Sequence, residues 1–453
     1  MQQLLEKYNV PVPRYTSYPT VPFWKDGFAA NEWADVFYSD FQKSNRAGIS
    51  LYIHLPFCES LCTYCGCNKK ITTDHSVEEV YTRAIMAEWD TYLSLMGTAP
   101  VIRELHLGGG TPTFFSPESL QQLVMQLLEK AIVPDGHEFS FEGHPNNTTR
   151  AHLQALYDIG FRRVSYGVQD NDAEVQRIIN RIQPLAHVQR ATDEAREIGY
   201  ESVNYDLIYG LPRQSIESIE RTINEVASLR PDRIAFYSYA HVPWTSRAQR
   251  LFDEQDLPSS ADKMAMYVKG RELLMAHGYT DIGMDHFALP GDALYHAAMD
   301  GTLHRNFMGY TVQQTDFLLG LGVSAISGIP GAYAQNTKKL HDYYHAVGEG
   351  ALPVVKGIMV TEADARFRRY ILDISCKGHT EVAAKDLPLI LALSGQLLHQ
   401  LTADDLVVHS GCSFTVTSQG RNFIRNICSV FDMRLAEGRG VGESSKPVFS
   451  KSI

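Results

Sequence analysis

Six short runs rich in β-branched and aromatic residues alternate with amphipathic stretches between residues 48 and 240, and this alternation constrains the fold more than any other feature of the sequence. The runs occupy residues 50–55, 101–107, 138–143, 162–168, 202–210 and 233–239. The stretches between them repeat apolar residues at helical spacing. Because parallel strands need helical crossovers, this pattern predicts an α/β fold with a parallel sheet, open or closed into a partial barrel. We take a partial (βα)6 TIM-like barrel, followed by a mainly helical C-terminal domain, as the fold class.

The chain divides into three segments by pattern. Its 453 residues are enough for two or three domains. We predict a leader or lid at 1–47, the parallel-sheet domain with an extension at 48–355, and a mainly helical domain at 356–453. That last domain ends in a hairpin, "LVVHSGCSFTVTSQG" (406–420), which gives it a winged-helix-like outline. Since it lacks a dense basic helix, we expect it to pack over other parts of the protein rather than bind DNA.

Polar residues follow the predicted strands at their C-terminal ends, where parallel α/β sheets place their chemistry. A cysteine-rich loop follows the first strand, and "GGGTPT" (108–113) follows the second. Glu142 ends the third strand and Gln169 follows the fourth. Asp206 lies late in the fifth strand, and "AHVP" (240–243) follows the sixth. We therefore expect these loops to converge on a single site.

Overall charge and the apolar stretches bear on location and partners. The formal charge of −11 argues against a surface built for nucleic acid or anionic membranes. The N-terminus lacks the basic start and apolar run of a signal peptide, and stretches such as 387–393 are too short to span a bilayer. Clustered cysteines without secretion indicate metal binding or catalysis rather than disulfides. We expect a cytoplasmic protein with no nucleic-acid partner and no membrane insertion.

Four of the seven cysteines fall within "CESLCTYCGC" (58–67). Cys58, Cys62 and Cys65 form a C-x3-C-x2-C pattern. Three thiolates on one short loop can hold three irons of a 4Fe-4S cluster and leave the fourth iron open to a small ligand. A zinc knuckle that also uses Cys67 is the alternative, although the x3 and x1 spacings suit zinc poorly.

The cysteine spacing, with Tyr64 directly before Cys65, resembles the radical S-adenosylmethionine superfamily. The run "GGGTP" at 108–112 resembles the glycine motif of that superfamily, which contacts the methionine amino group of the cofactor. Over nearly its whole length the chain is similar to one family, the oxygen-independent coproporphyrinogen III oxidases. The stretches that carry this resemblance are "PRYTSYPT" (13–20), "SLYIHLPFC" (50–58), "CTYCGCNK" (62–69), "GGGTPT" (108–113), "GVQD" with "EVQRIINR" (167–181), "DLIYGLP" (206–212), "YAHVP" (239–243), "GMDHFA" (283–288), "HRNFMGYT" (304–311) and "GVSAISG" (322–328).

The resemblance implies one 4Fe-4S cluster and two S-adenosylmethionine molecules. The positions that match cluster ligands are Cys58, Cys62 and Cys65. The positions that match contacts to the cofactor on the cluster are Tyr52, Gly109, Glu142 and Ile326. The positions that match contacts to the second cofactor are Tyr64, Gly110, Thr111, Gln169, Arg181, Asp206 and Ala240. The chemistry of these side chains agrees, because carboxylates accept from ribose hydroxyls or an amino group and arginine suits a carboxylate.

The resemblance also implies a reaction. It is the oxidative decarboxylation of two propionates of coproporphyrinogen III to vinyl groups, which gives protoporphyrinogen IX in heme biosynthesis. In that family, reductive cleavage of S-adenosylmethionine yields a 5′-deoxyadenosyl radical that removes a hydrogen β to the carboxylate. Such an oxidoreductase needs a low-potential electron donor and a terminal electron acceptor, neither of which the sequence identifies. We expect a monomer.

Two other functions stay open on the same motifs. One is a heme-binding chaperone of the same superfamily, which typically has an aromatic residue in place of Cys67 and lacks the "PRYTSYPT" leader and the "HRNF" segment. This chain has Cys67, the leader and the "HRNF" segment, which favours the enzyme. The other is a radical methyltransferase or ring-opening enzyme that acts on heme.

Substrate-binding residues are harder to assign from the sequence. Four propionates require cations, and Arg14, His304 and Arg305 are candidates that could equally be surface or core residues. His144 departs from the family pattern, because members of the family often have an aspartate at this position, two residues after Glu142.

Overall fold

The computed structural model describes residues 2–440 and 449. Met1, 441–448 and 450–453 lie outside the described residues, and the last two ranges belong to the predicted 356–453 domain. The helices are α1 (Gln2–Tyr8), α2 (Ala30–Ser44), α3 (Val77–Met96), α4 (Pro117–Glu129), α5 (Arg150–Asp158), α6 (Ala173–Ile178), α7 (Leu185–Ile198), α8 (Ile216–Ser228), α9 (Ser260–Ala276), α10 (Ala293–Met299), α11 (Leu340–Gly348), α12 (Glu362–Lys377), α13 (Leu387–Ala403), α14 (Ile424–Cys428) and α15 (Met433–Gly440). The strands are β1 (Lys25–Asp26), β2 (Ile49–Leu55), β3 (Phe57–Cys58), β4 (Lys70–Ile71), β5 (Ile102–Gly109), β6 (Glu138–Gly143), β7 (Phe161–Gln169), β8 (Ser202–Tyr209), β9 (Arg233–Ser238), β10 (Thr280–Gly283), β11 (His286–Ala288), β12 (His304–Asn306), β13 (Gly309–Thr311), β14 (Leu318–Leu321), β15 (Ile326–Ile329), β16 (Ala332–Asn336), β17 (Val354–Met359), β18 (His379–Glu381), β19 (Val407–Ser410) and β20 (Ser413–Val416).

The larger of two compact units comprises residues 25–278 and 315–359. Its strands follow the order β1-β17-β16-β15-β14-β2-β5-β6-β7-β8-β9. Strands β2 and β5 to β9 pair in parallel with their neighbours, and β14 pairs in parallel with the other edge of β2. Each of the six predicted strands is present at its predicted position, which confirms the α/β fold class.

The crossover helices form for reasons that are visible in the sequence. Ahead of α8, the Ser215 and Ser218 hydroxyls each accept from the other residue's backbone N–H, which satisfies donors that the first turn leaves unpaired. Along the same helix Ile219, Ile223 and Val226 recur at helical spacing and are buried. The strands are apolar on the faces that the helices cover, and burying these side chains provides the main driving force for folding.

The smaller unit comprises residues up to 24, residues 279–314 and residues from 360 onward. In its C-terminal part the predicted hairpin is present as β19 and β20, and β18 completes a three-stranded antiparallel sheet. Two long helices, α12 and α13, accompany this sheet. This part is mainly helical, as predicted.

The two units are discontinuous in sequence, so the predicted segments 1–47, 48–355 and 356–453 do not correspond to them one to one. Helix α2 lies within the predicted leader but belongs to the larger unit, because it buries an aromatic face there. Phe37 of this helix packs its ring 5.2 Å from that of Phe317. The segment boundaries stay predictions. Within the described part of the chain, no helix is both long enough and apolar enough to cross a bilayer.

Candidate active site

A cavity of about 260 Å³ in the larger unit is lined by residues from the C-terminal ends of the parallel strands and the loops that follow them. The predicted site residues that line it are Cys58, Cys62, Tyr64, Cys65, Gly109, Gly110, Thr111, Glu142, Gln169, Arg181 and Asp206. Three predicted residues, Tyr52, Ala240 and Ile326, are not among the lining residues. Chain topology thus gathers groups that are up to about 150 residues apart, because parallel strands all end at one edge.

The cysteine loop is closed at its base by short backbone pairing. Cys58 lies in β3, which pairs with β4, and the N–H of Thr72 donates to the Cys58 carbonyl at 3.0 Å. Between these strands, the N–H of Cys65 donates to the carbonyl of Cys62 at 3.3 Å in a tight turn. The cysteines of this loop are free thiols. Cys58, Cys62 and Cys65 all line the cavity.

These thiols differ in pKa and exposure because their hydrogen bonding and burial differ. Burial raises the pKa of Cys58 to about 11, while Thr111 Oγ1 donates to its Sγ at 3.4 Å. A hydrogen bond with the Cys67 thiol lowers the pKa of Cys65 to about 6. Cys67 also lines the cavity and is the most exposed thiol of the loop.

The donor set fits an iron–sulfur cluster. Each cysteine of a 4Fe-4S cluster bonds a different iron, and Cys58, Cys62 and Cys65 supply three such thiols to one cavity. Arg181 adds a cation beside the thiols, with Nη1 at 3.7 Å from the Sγ of Cys62.

The glycine run lies directly against the cysteine loop. A Cβ on Gly110 would stand 2.7 Å from the carbonyl oxygen of Pro56, and the N–H of Gly110 donates to the Leu55 carbonyl at 2.8 Å. A Cβ on Gly109, whose φ is +116°, would meet the His54 ring at 2.7 Å. Glycine is thus required for close approach as well as for the turn.

Two carboxylates face the cavity with different partners. Glu142 accepts from the N–H of Gly109 at 3.2 Å and lies 3.5 Å from His106 Nε2. Although burial raises the pKa of Glu142, the contacts with His106, the N–H of Gly109 and His54 together outweigh it, and the net pKa is lowered. Asp206 accepts from Ser165 Oγ at 3.1 Å and Asn204 Nδ2 at 3.0 Å, and burial raises its pKa to about 6. Both groups are ionised near neutral pH and can accept from hydroxyl or amino donors.

Arg181 is a buried cation with spare hydrogen-bonding capacity. Its Nη2 donates to the Gly167 carbonyl, while its Nε is buried with no partner. No carboxylate pairs with it among the described residues. Close by, Gln169 has a φ of +68°, a left-handed conformation that costs a non-glycine residue energy and is often found at ligand sites. An anion in the cavity would complete the partners of Arg181.

Sequence reasoning missed three polar residues around the cavity, and two of these had a visible signal. His54 and His106 interrupt apolar strands, at positions where the alternation of a strand turns them toward the site. His54 Nδ1 bonds Tyr52 Oη at 3.1 Å, and the His106 ring stacks on that of Tyr52 with centroids 6.0 Å apart. The third, Lys69, lines the cavity and bonds the Cys65 carbonyl at 3.0 Å. Tyr52 is therefore held in position by two histidines.

His144, noted above as a departure from the family, also lines the cavity. Its Nδ1 accepts from the N–H of Asn146 at 3.1 Å, so the remaining ring proton resides on Nε2. Burial and the charge of Arg181 lower the pKa of His144 to about 2, which keeps the ring neutral.

The comparisons with known proteins agree with this geometry. Residues 52–226 match the Radical SAM superfamily. The oxygen-independent coproporphyrinogen III oxidase of Escherichia coli is 38% identical, and the match covers 98% of each chain. The enzyme of the same name from Pseudomonas aeruginosa is also 38% identical, with 95% of each chain covered.

A solved structure, described as coproporphyrinogen III oxidase from Escherichia coli and as a Radical SAM enzyme, superposes with a TM-score of 0.87. It is 38% identical, and the match covers 95% of this chain and 98% of that chain. Identity of this level over nearly the full length, together with the cysteine-lined cavity, shows that the chain belongs to the family of oxygen-independent coproporphyrinogen III oxidases within the Radical SAM superfamily.

Proposed function

We propose that this chain catalyses the oxygen-independent oxidative decarboxylation of two propionates of coproporphyrinogen III to vinyl groups, giving protoporphyrinogen IX. In each step a propionate loses one hydrogen atom, carbon dioxide and one electron. The single observation that carries the proposal is the cavity in which three free cysteines, a glycine cradle and Arg181 meet, in a chain that shares its whole length with the named relatives.

Cys58, Cys62 and Cys65 are the proposed ligands of one 4Fe-4S cluster. With S-adenosylmethionine, the bound cluster supplies a carbon-centred radical that can remove a hydrogen atom from the propionate. Tyr52, Gly109, Glu142 and Ile326 are assigned to the cofactor on the cluster; the position of Glu142 over the N–H of Gly109 supports this assignment. Ile326 would contribute a backbone or packing contact.

A second S-adenosylmethionine is assigned to the remaining residues, which are Tyr64, Gly110, Thr111, Gln169, Arg181, Asp206 and Ala240. Two observations support this assignment. The buried Nε of Arg181 has no hydrogen-bond partner among the described residues and can donate to a carboxylate, and Asp206 can accept from ribose hydroxyls. Gln169 lines the same part of the cavity.

The protein side chains bind, orient and exclude water, and none is required as a general base, because the cofactors carry the difficult step. The clustered free thiols support a reducing, cytoplasmic location. A low-potential electron donor, a terminal electron acceptor and a monomeric state complete the proposal.

The test is a strictly anaerobic assay of reconstituted protein with coproporphyrinogen III, S-adenosylmethionine and a low-potential reductant. Protoporphyrin after oxidation and 5′-deoxyadenosine are both measured. We expect both products from the intact protein and neither from Cys62→Ala. Cys412→Ala, which removes a free thiol outside the cavity, is the matched control and should keep full activity.

The other outcomes separate the alternative functions. Deoxyadenosine without protoporphyrin would move the substrate to heme or another tetrapyrrole. Methylated product with S-adenosylhomocysteine would select a methyltransferase. Neither product, from protein with verified iron and sulfide, would favour a heme chaperone.

Cofactor stoichiometry tests the second binding site separately. Equilibrium dialysis of reconstituted protein against S-adenosylmethionine, without reductant, should give two molecules per chain. Arg181→Met should reduce this number to one, because it removes the proposed carboxylate partner of the second molecule only. A value of one for the intact protein would contradict the second site.

A further inference from the structure

Arg305 of the smaller unit is a buried cation, and no carboxylate of residues 2–440 forms an ion pair with it. It lies in β12 and is only 6% exposed. Its Nη2 donates to the Arg14 carbonyl at 3.3 Å, and its guanidinium carbon lies 4.7 Å from the centre of the Tyr310 ring. These are neutral partners, so the positive charge stays unbalanced.

Two donors of this guanidinium are unused. Nε and Nη1 are both buried and have no hydrogen-bond partner in the part of the chain that the structure describes. Burying a charge without a counter-ion or full hydrogen bonding is among the most costly arrangements in a folded protein. The second N–H of Nη2, which the Arg14 carbonyl leaves free, can pair with Nε–H or with an N–H of Nη1, and each pair forms a fork that matches the two oxygens of a carboxylate.

A small cavity lies against Arg305 within the same unit. It is lined by Tyr15, Thr16, Ser17, Tyr18, Arg305, Arg368, Ile371 and Leu372. This lining brings a second guanidinium and hydroxyl groups to the cavity, and it contains no Asp or Glu. Tyr15 has a φ of +50°, a strained backbone conformation of the kind that clusters at ligand sites.

Two carboxylates of the smaller unit, Asp432 and Asp285, contact other residues of this network. Asp432 accepts from Tyr15 Oη at 3.2 Å and from the N–H of Leu435 at 2.9 Å. Asp285 lies 3.9 Å from Arg14 Nη1. The lining of the cavity therefore offers a bound anion hydroxyl groups and two guanidinium groups, and no carboxylate competes for them within that lining.

We propose that the cavity beside Arg305 is a carboxylate-binding site, which takes a propionate of the tetrapyrrole substrate, with Arg305 as the bidentate partner and Arg368 as a second cation. The inference rests on the proposed function, since that substrate carries four propionates. The small size of the cavity suits a carboxylate head group rather than a macrocycle.

Binding of coproporphyrin III, the stable oxidised form of the substrate, tests the site without turnover. Fluorescence titration of the intact, reconstituted protein is compared with Arg305→Met, which removes the charge and keeps a long side chain. We expect the Kd of Arg305→Met to rise on the order of 10- to 100-fold. Arg421→Met, at an exposed arginine of the same unit, is the matched control and should bind as the intact protein does.

Thermal stability without ligand separates a binding role from a structural one. Because the guanidinium is uncompensated in the free protein, Arg305→Met should leave the Tm unchanged or raise it. A lower Tm with affinity within about twofold of the intact protein would overturn the proposal, because it would make Arg305 a structural residue.

If both the Tm and the affinity of Arg305→Met fall, a further titration separates the two roles: coproporphyrin III and its tetramethyl ester are both titrated in mild detergent. If Arg305 contacts a carboxylate, the ester binds the intact protein and Arg305→Met equally. An equal loss for acid and ester would overturn the proposal. Free propionate should compete with coproporphyrin III only weakly; competition as strong as by the tetrapyrrole itself would overturn the assignment to the substrate. Failure of the proposed function would instead appear as no protoporphyrin from the intact protein.

Discussion

Single residues show where the cavity lined by Cys58, Cys62 and Cys65, here called the cluster cavity, cannot accept a larger side chain. A Cβ added to Gly110 would stand 2.7 Å from the carbonyl oxygen of Pro56, just before the cysteine loop. Backbone atoms cannot move aside as a flexible side chain can. Gly66 lies inside the same loop and has nothing within 4 Å of its would-be Cβ. Two glycines close to the same thiols thus serve different purposes.

This difference gives a prediction. Gly110→Ala should displace the cysteine loop, lower stability by about 1–3 kcal/mol and reduce iron per chain after reconstitution. Gly66→Ala should leave both unchanged. Thermal unfolding and elemental analysis measure the two effects. Equal iron content in the two variants would show that the loop tolerates the shift.

Asp170 illustrates a residue whose role only the structure explains. It is fully buried and accepts from Gln214 Nε2 at 2.6 Å and Thr222 Oγ1 at 3.2 Å. It directly follows Gln169, whose backbone is strained, so this network holds the strained turn in place. The motif "GVQD" contained the residue, but its partners lie 44 and 52 residues further along the chain.

At the level of elements, helix α3 anchors the turn that precedes Ile326. Its Glu88 is fully buried and accepts from the N–H of Gly322 at 2.8 Å, Asn336 Nδ2 at 2.7 Å and Tyr343 Oη at 2.7 Å. Tyr81 of the same helix donates to the His54 carbonyl at 2.7 Å. One helix therefore ties together β2, the end of β14 and α11.

Burial of Glu88 makes stability depend on pH. Burial raises the pKa of this carboxyl from 4.5 to about 7. The folded state thus binds the proton more tightly than the unfolded state does, so the contribution of Glu88 is most favourable below pH 4.5 and declines until about pH 7. The total decline is about 3 kcal/mol, at 1.36 kcal/mol per pH unit.

Glu88→Gln should remove this decline. We expect the intact protein to lose about 3 kcal/mol of unfolding free energy relative to Glu88→Gln between pH 4.5 and 7. Glu79→Gln, at an exposed position of the same helix, is the control and should follow the intact protein. Urea midpoints across this pH range measure the effect. Parallel curves for all three proteins would contradict the raised pKa.

At the level of the whole molecule, every residue that lines the cluster cavity belongs to the larger unit. Cluster binding should therefore stabilise that unit, because a ligand stabilises the state to which it binds. The hairpin of β19 and β20 belongs to the smaller unit.

Hydrogen exchange followed by mass spectrometry can test this expectation. Reconstitution of the cluster should slow exchange in the cysteine loop and in the glycine run at 108–112, and should leave the hairpin unchanged. Cys62→Ala treated in the same way is the control and should show no protection. Equal protection of the hairpin would show that the two units respond as one.

Much of the site was predictable because it depends on local pattern and on topology. Six strands could be read from β-branched runs, and their parallel order requires that the residues after them meet at one edge. The cysteine spacing indicated a cluster with an open iron, and the motifs indicated the family, which the relatives confirm. These features need only nearby residues or a rule that all parallel sheets obey.

Tertiary structure decided what depends on distant partners. Nothing in the sequence showed that Glu88 would be buried under donors more than 230 residues away, or that the two units would each be assembled from separate stretches of chain. The same holds for Arg305, since a sequence gives a charge but not its solvation. Whether that charge is balanced depends on which side chains the fold brings around it, and this is the physical reason why the structure alone reveals an uncompensated guanidinium.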